Sequence, residues 1–173
     1  MHTTARSAIV VILAGCCCGC RPSAPANEYA ELVETLKNSE DHLNSVGKTV
    51  RKTYPPGDAW SIDLKGATID DQIISDITTL DRVSELLLSG ATITDEQLQT
   101  LVQSDRTGYL NVLDISKTAI TDAGVTGLAD KKYLQTLNIK GSQVSEGFVS
   151  KLNSARQGNN AIDARFKTIA VTK

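Results

Sequence analysis

The stretch Leu110-Asn-Val-Leu113-Asp-Ile115-Ser-Lys-Thr118-Ala-Ile120-Thr-Asp122 decides how this chain is read. Counted from Leu110 as position 0, apolar or small side chains fall at positions 0, 3, 5, 8 and 10, and an acid falls at 12. Three other windows repeat the frame. They are Ala59, Ile62, Leu64, Ala67, Ile69, Asp71; Val83, Leu86, Leu88, Ala91, Ile93, Asp95; and Leu134, Leu137, Ile139, Ser142, Val144, Glu146. The window starts, 59, 83, 110 and 134, are 24, 27 and 24 residues apart. The three extra residues fall in Ser104-Asp105-Arg106-Thr107-Gly108, whose composition is that of a loop, so the packed register is preserved.

Each position has a physical reason. Positions 3 and 5 alternate with polar residues, which is the pattern of a short strand with one face inward. Position 8 is Ala67, Ala91, Thr118 or Ser142, small enough for a tight turn. Position 10 returns an aliphatic side chain to the same layer. Thr or Ser at position 11 of the last three windows, followed by the acid, suits a helix start. The expected returning helices carry Ile74, Ile77 and Leu80; Leu98, Leu101 and Val102; Val125 and Leu128; and Val149 and Leu152.

A recurrence of this length resembles the leucine-rich-repeat family, with its LxxLxL core and period of 20–29. Thr118-Ala-Ile-Thr-Asp-Ala-Gly-Val-Thr-Gly-Leu128 is similar to the bacterial TxITDxGLxxL subtype. The resemblance covers residues 59–151. It implies an α/β fold, a right-handed leucine-rich-repeat solenoid of about four repeats. Short parallel strands would line the concave side, helices the convex side, and a helical cap the N-terminal end. It says little about function, because function lives in sites and not in folds.

The N-terminus reads as an address. Arg6 precedes the apolar run Ala8-Ile-Val-Val-Ile-Leu-Ala14, which is far shorter than the about 20 residues a membrane span needs. Leu13-Ala14-Gly15-Cys16 resembles the bacterial lipobox, which implies cleavage before Cys16 and acylation of its thiol. An ordinary signal peptide with incidental cysteines, or a short uncleaved anchor, are the alternatives. Cys17, Cys18 and Cys20 either bind a soft metal or are oxidisable thiols with no further role. From Arg21 onward there is no cysteine, so the folded part relies on packing without disulfides.

The chain therefore divides into a lipoprotein signal peptide (1–15), a lipidated Cys16 with a flexible tether (16–26), a helical N-terminal cap (27–58), repeats (59–157) and a C-terminal cap (158–173). In the cap, Tyr29, Leu32, Val33, Leu36, Leu43, Val46 and Val50 recur at helical spacing, in one helix or a helix pair. His42 reads as a solvated surface residue. Ile162, Ala164 and Phe166, then Ile169 and Val171, alternate as short strands do, and one strand is expected to extend the sheet.

With 18 basic and 20 acidic residues and no basic block, the chain lacks the positive surface that nucleic acid requires. No nucleotide-binding, zinc-protease or nucleophile-histidine-acid pattern occurs, so no catalytic residue, cofactor or metal ligand set is nominated. What remains is binding. Outward strand positions nominate Asp63, Lys65, Glu85, Leu87, Asp114, Ser116, Asn138 and Lys140 as a contact face. Trp60 is either a further anchor or part of the core. The expectation is a membrane-tethered module at a bacterial cell envelope, facing periplasm or exterior and holding a protein partner. The alternative is a structural, self-associating envelope lipoprotein without a specific ligand; the oligomeric state is left open.

Overall fold

The structure, a computed structural model, describes residues 26–54, 57–159 and 162–173. The signal segment, Cys16 and nearly all of the tether lie outside the described residues. The elements run α1 (Ala26–Val46), β1 (Lys48–Tyr54), β2 (Gly57–Asp63), α2 (Asp71–Thr79), β3 (Val83–Leu87), α3 (Asp95–Gln103), β4 (Val112–Asp114), β5 (Thr136–Asn138), α4 (Glu146–Gly158) and β6 (Ala170–Thr172). The strands form one six-stranded sheet in the order β1-β2-β3-β4-β5-β6.

This architecture corrects the expected solenoid. The sheet is mixed: β1 pairs antiparallel with β2, and only β2 to β6 are parallel. Six strands stand where four repeats and one C-terminal strand were expected, and the end layer is a helix plus a hairpin, not a helical cap. The segment after β4 does not return as an α-helix; it holds only a 3-10 turn, Leu128–Asp130. Two glycines explain that. A Cβ on Gly124 would lie 2.4 Å from Asp95 Oδ1, and Gly127 sits at φ 95°, where a helix cannot continue. At the other end, Gly47 stops α1 and turns the chain into β1. A Cβ there would meet the Asp63 carbonyl oxygen at 2.2 Å, so only glycine lets helix and sheet approach this closely.

Inside this sheet the frame positions pair row by row. Ile62, Leu86, Leu113, Leu137 and Val171 are consecutive partners across five strands. The first four are essentially inaccessible, and so are Leu64, Leu88 and Ile115 two residues on. Burying each such side chain is worth about 1.5–3 kcal/mol, which makes this column the main source of cohesion. Ile73, Ile74 and Ile77 from α2 and Leu98, Leu101 and Val102 from α3 close the same face, with Leu43 of α1 at one end and Val149 and Leu152 of α4 at the other.

Turns at the strand exits are uniform. Position 7 is left-handed in every window: Gly66, Gly90, Lys117 and Gly141 have φ of 71°, 68°, 56° and 74°. Helix starts are capped as the sequence implies, by Asp70, Thr94 and Ser145 accepting from Ile73, Gln97 and Phe148 backbone N–H groups. The acids at position 12 do more than occupy a first turn. Asp95 accepts from Thr121 N and Oγ1 at 2.9 and 2.5 Å, and Asp122 from Ser145 N and Oγ at 2.7 and 2.6 Å. Each ties its own turn to the next.

Two buried cations complete the scaffold. Lys131 Nζ donates to Ser104 O and Thr107 Oγ1, both at 3.0 Å, and burial pushes its pKa down. Arg156, with no exposed surface, donates to the carbonyls of Leu128, Lys131 and Leu134 at 3.4, 2.7 and 3.1 Å. It thereby adds a second donor to the Leu128 and Lys131 carbonyls, which already accept from the Lys131 and Leu134 backbone N–H groups, and supplies a donor to the Leu134 carbonyl. Between Ile162 and Phe166, where strand was expected, the chain makes a 3-10 turn, Ala164–Phe166; β6 then adds in parallel to β5.

Candidate functional site

Helices cover one face of the sheet, and no described element covers the other. The open face presents two rows. One runs Val50, Ser61, Glu85, Val112, Thr136 and Ala170; the other runs Lys48, Asp63, Leu87, Asp114, Asn138 and Thr172. The second row gathers four of the nominated contact residues, from Asp63 to Asn138, on adjacent strands.

Much of the nominated polarity is spent within the fold. Asp63, Asp114 and Asn138 each use Oδ1 to accept the backbone N–H two residues on, from Lys65, Ser116 and Lys140 at 3.2, 2.9 and 3.2 Å. These are turns made by the side chain itself, and they shape the strand exits. Lys65 folds back so that Nζ donates to Asp63 Oδ2 at 3.0 Å. Glu85 is drawn toward β1: its Oε2 accepts from Lys52 Nζ at 2.5 Å and from Ser61 Oγ at 2.6 Å. Ser116 is buried and donates from Oγ to Ser89 Oγ at 2.8 Å. Lys140 is exposed.

What the face offers outward is therefore narrower than the nominated set. Leu87 and Val112 are half-buried apolar contacts. Beside them are the Asp114 and Asn138 side chains, each with only its Oδ1 engaged among the described residues. A carboxylate oxygen, an amide group and two aliphatic side chains on a flat sheet suit an extended polypeptide or a loop.

Trp60 is buried. Its Nε1 donates to Asp81 Oδ1 at 2.8 Å, and the Arg51 guanidinium lies 5.2 Å above its ring. It is core and not an anchor. His42, read from the sequence as solvated, bonds through Nδ1 to Asp76 Oδ2, while Ser39 Oγ and Gln72 Nε2 both donate to Asp76 Oδ1, at 3.0 and 3.1 Å. Serine and histidine both point at the acid and not at each other, so the cluster clamps α1 to α2 without forming a nucleophile relay.

Sequence reasoning missed a row at the strand entries. Arg82, Tyr109 and Tyr133 each stand one residue before position 0 of their windows. The Arg82 guanidinium lies 4.3 Å from the Tyr109 ring centre, and the two tyrosine rings stack at 5.2 Å and 13°. The common offset was the available signal, but a frame that starts at position 0 does not include it. Among the described residues, no group of three or more His, Cys, Asp or Glu is placed to hold a metal ion. No described helix is long and apolar enough to cross a membrane. No protein-family model matches the chain, and no curated protein matches it.

Proposed function

We propose that this chain is a lipid-tethered binding module of a bacterial envelope, which holds a protein partner on the open face of its sheet. The observation that carries the reading is that uncovered face, with Leu87 and Val112 set beside Asp114 and Asn138 on neighbouring strands. A flat face of this kind excludes water over its apolar centre and leaves polar groups to fix the partner's register. The tether is supported by Leu13-Ala14-Gly15-Cys16 and the short apolar run before it.

Cross-linking in native membranes, followed by capture of the full chain, tests the binding half. One recurrent partner is expected, lost on Leu87→Ser and on Asp114→Asn, which keeps the turn-forming Oδ1 but removes the carboxylate. Contacts only between copies of this chain would favour the self-associating envelope protein instead. Intact-mass measurement tests the tether: an N-terminus at Cys16 with added acyl mass is expected, and an uncleaved, unmodified chain refutes it.

A further inference from the structure

The first half of α1 carries an apolar stripe that the other described elements leave uncovered. Tyr29, Leu32 and Val33 are 68%, 55% and 47% exposed. Six and ten positions beyond Val33, the same stripe is buried at Ser39 and Leu43. Val33 and Leu36 border a groove that also includes Arg51, Trp60 and Asp81. The helix residues before Val33, seven of them from 26 to 32, run on past Asp81 and add about 10 Å at 1.5 Å per residue.

A second arm meets this one at the groove. Asp81 and Arg82 continue into a cleft with Asp105, Arg106 and Tyr109, which in turn shares Asp105 and Tyr109 with a third, bordered by Lys132 and Tyr133. Tyr109 and Tyr133 are 39% and 38% exposed. From Trp60 to Tyr133 this arm crosses three strand spacings, or about 15 Å. Five large exposed apolar side chains thus lie on one side of the molecule, at the strand entries. Charges of both signs lie between them, Asp81 with Arg82, Asp105 with Arg106 and Asp130 with Lys132, and Lys37 and Arg51 against Glu40 leave a small basic excess at the groove.

We propose that this side rests on the lipid headgroup surface of the membrane carrying the chain, with Tyr29 at one contact and Tyr133 at the other. The inference rests on the acylation of Cys16 stated above. Only nine residues, 17–25, separate that cysteine from α1, so the helix start stays within about 35 Å of the acyl chains at full extension. Tyr29, four residues before Val33 on α1, reaches about 6 Å beyond the groove at 1.5 Å per residue, comparable with one headgroup layer of about 5–8 Å. Tyrosine is a side chain of that layer, and charges of both signs can meet the two charges of a zwitterionic headgroup. Glu31 and Glu34, opposite the stripe on α1, stay in water. Seated this way, the sheet stands upright and its open face is clear of the lipid.

The test uses the full acylated chain in phosphatidylcholine vesicles whose acyl chains are brominated near the headgroups. Bromine quenches tryptophan only at short range, and the unaltered protein, with Trp60 alone, gives the baseline. Tyr29→Trp and Tyr133→Trp are each expected to lose at least twice the baseline fraction of fluorescence, and Val50→Trp on the open face to match the baseline. Tyr29 is on a projecting helix and tolerates the change, so misfolding of one variant does not remove the test. Acylated protein in the vesicle fraction with Tyr29→Trp and Tyr133→Trp at baseline, or with Val50→Trp quenched equally, overturns the docking and leaves the tether standing. An unmodified Cys16 by mass overturns both.

Discussion

Replacing Arg156 with methionine is expected to destabilise the fold by about 2–4 kcal/mol. The guanidinium is inaccessible and donates to three carbonyls, two of them at 2.7 and 3.1 Å and one, at 3.4 Å, too long to count for much. Hydrogen bonds to a charged group are worth about 1.5–3 kcal/mol each, and their carbonyl partners, once orphaned, cost about 1–3 kcal/mol each. Against this stands the desolvation of a buried cation, several kcal/mol, which the methionine variant no longer suffers. The carbonyls decide the sign. Methionine fills the space but leaves the Leu134 oxygen without its donor and the Lys131 oxygen with the Leu134 backbone N–H alone. For a chain of 173 residues the loss corresponds to a fall in melting temperature of roughly 2–4 °C per kcal/mol. Urea titration followed by far-ultraviolet circular dichroism measures it, with an unchanged slope expected. Arg156→Lys, which replaces a fork with a point charge, is expected to lose about half as much. A methionine variant as stable as the parent would mean that burial of the cation outweighs its bonds, and the reasoning fails.

Other outcomes follow from the same contacts. Asp95→Ala loses both bonds to Thr121 and is expected to cost about 1–3 kcal/mol; a cycle with Thr121→Val should show a coupling of at least about 0.5 kcal/mol, and additivity would break the proposed tie between turns. Lys117→Gly relieves a left-handed lysine and should raise stability by up to about 1 kcal/mol, whereas Gly90→Ala should lower it by about 1–2 kcal/mol; thermal melts that rank these the other way contradict the turn geometry. Bonds from the Ser145 hydroxyl and backbone N–H hold the Asp122 carboxyl below its ordinary 3.8. Its contribution is present above that value and fades as the pH falls through the folded one, so acid unfolding should begin at higher pH in Ser145→Ala than in the parent.

How much of this was legible in the sequence differs from element to element. Positions 0, 3, 5 and 10 mark buried side chains in nearly every window, because burial in a repeated layer leaves a periodic trace. Val144, only partly buried, is the weakest of them. The β1–β2 hairpin was not legible: Lys48-Thr-Val-Arg-Lys52 forms an edge, so only Thr49 is buried and no clear alternation arises. Nor was the missing third helix, since Val125 and Leu128 are as apolar as a helix would require, and the two glycines act through φ and through Asp95. For the candidate site, the frame placed Asp63, Leu87, Asp114 and Asn138 outward. It did not say that Glu85 is already bonded, because Lys52 comes from a strand outside the repeat, nor that Lys65 folds back on Asp63 within its own window. His42 gained Asp76 as a partner across 34 residues, a contact no local spacing could announce.

The loop Ser104–Gly108 absorbs three additional residues without disturbing the pairing of β3 with β4. Strand alignment is set at the opposite end, by the left-handed residues and side-chain turns where each strand leaves the sheet. The entry end can thus take up a difference in chain length, as it does at the 3-10 turn Asp105–Thr107. The exit end behaves as the ruler against which every layer is measured.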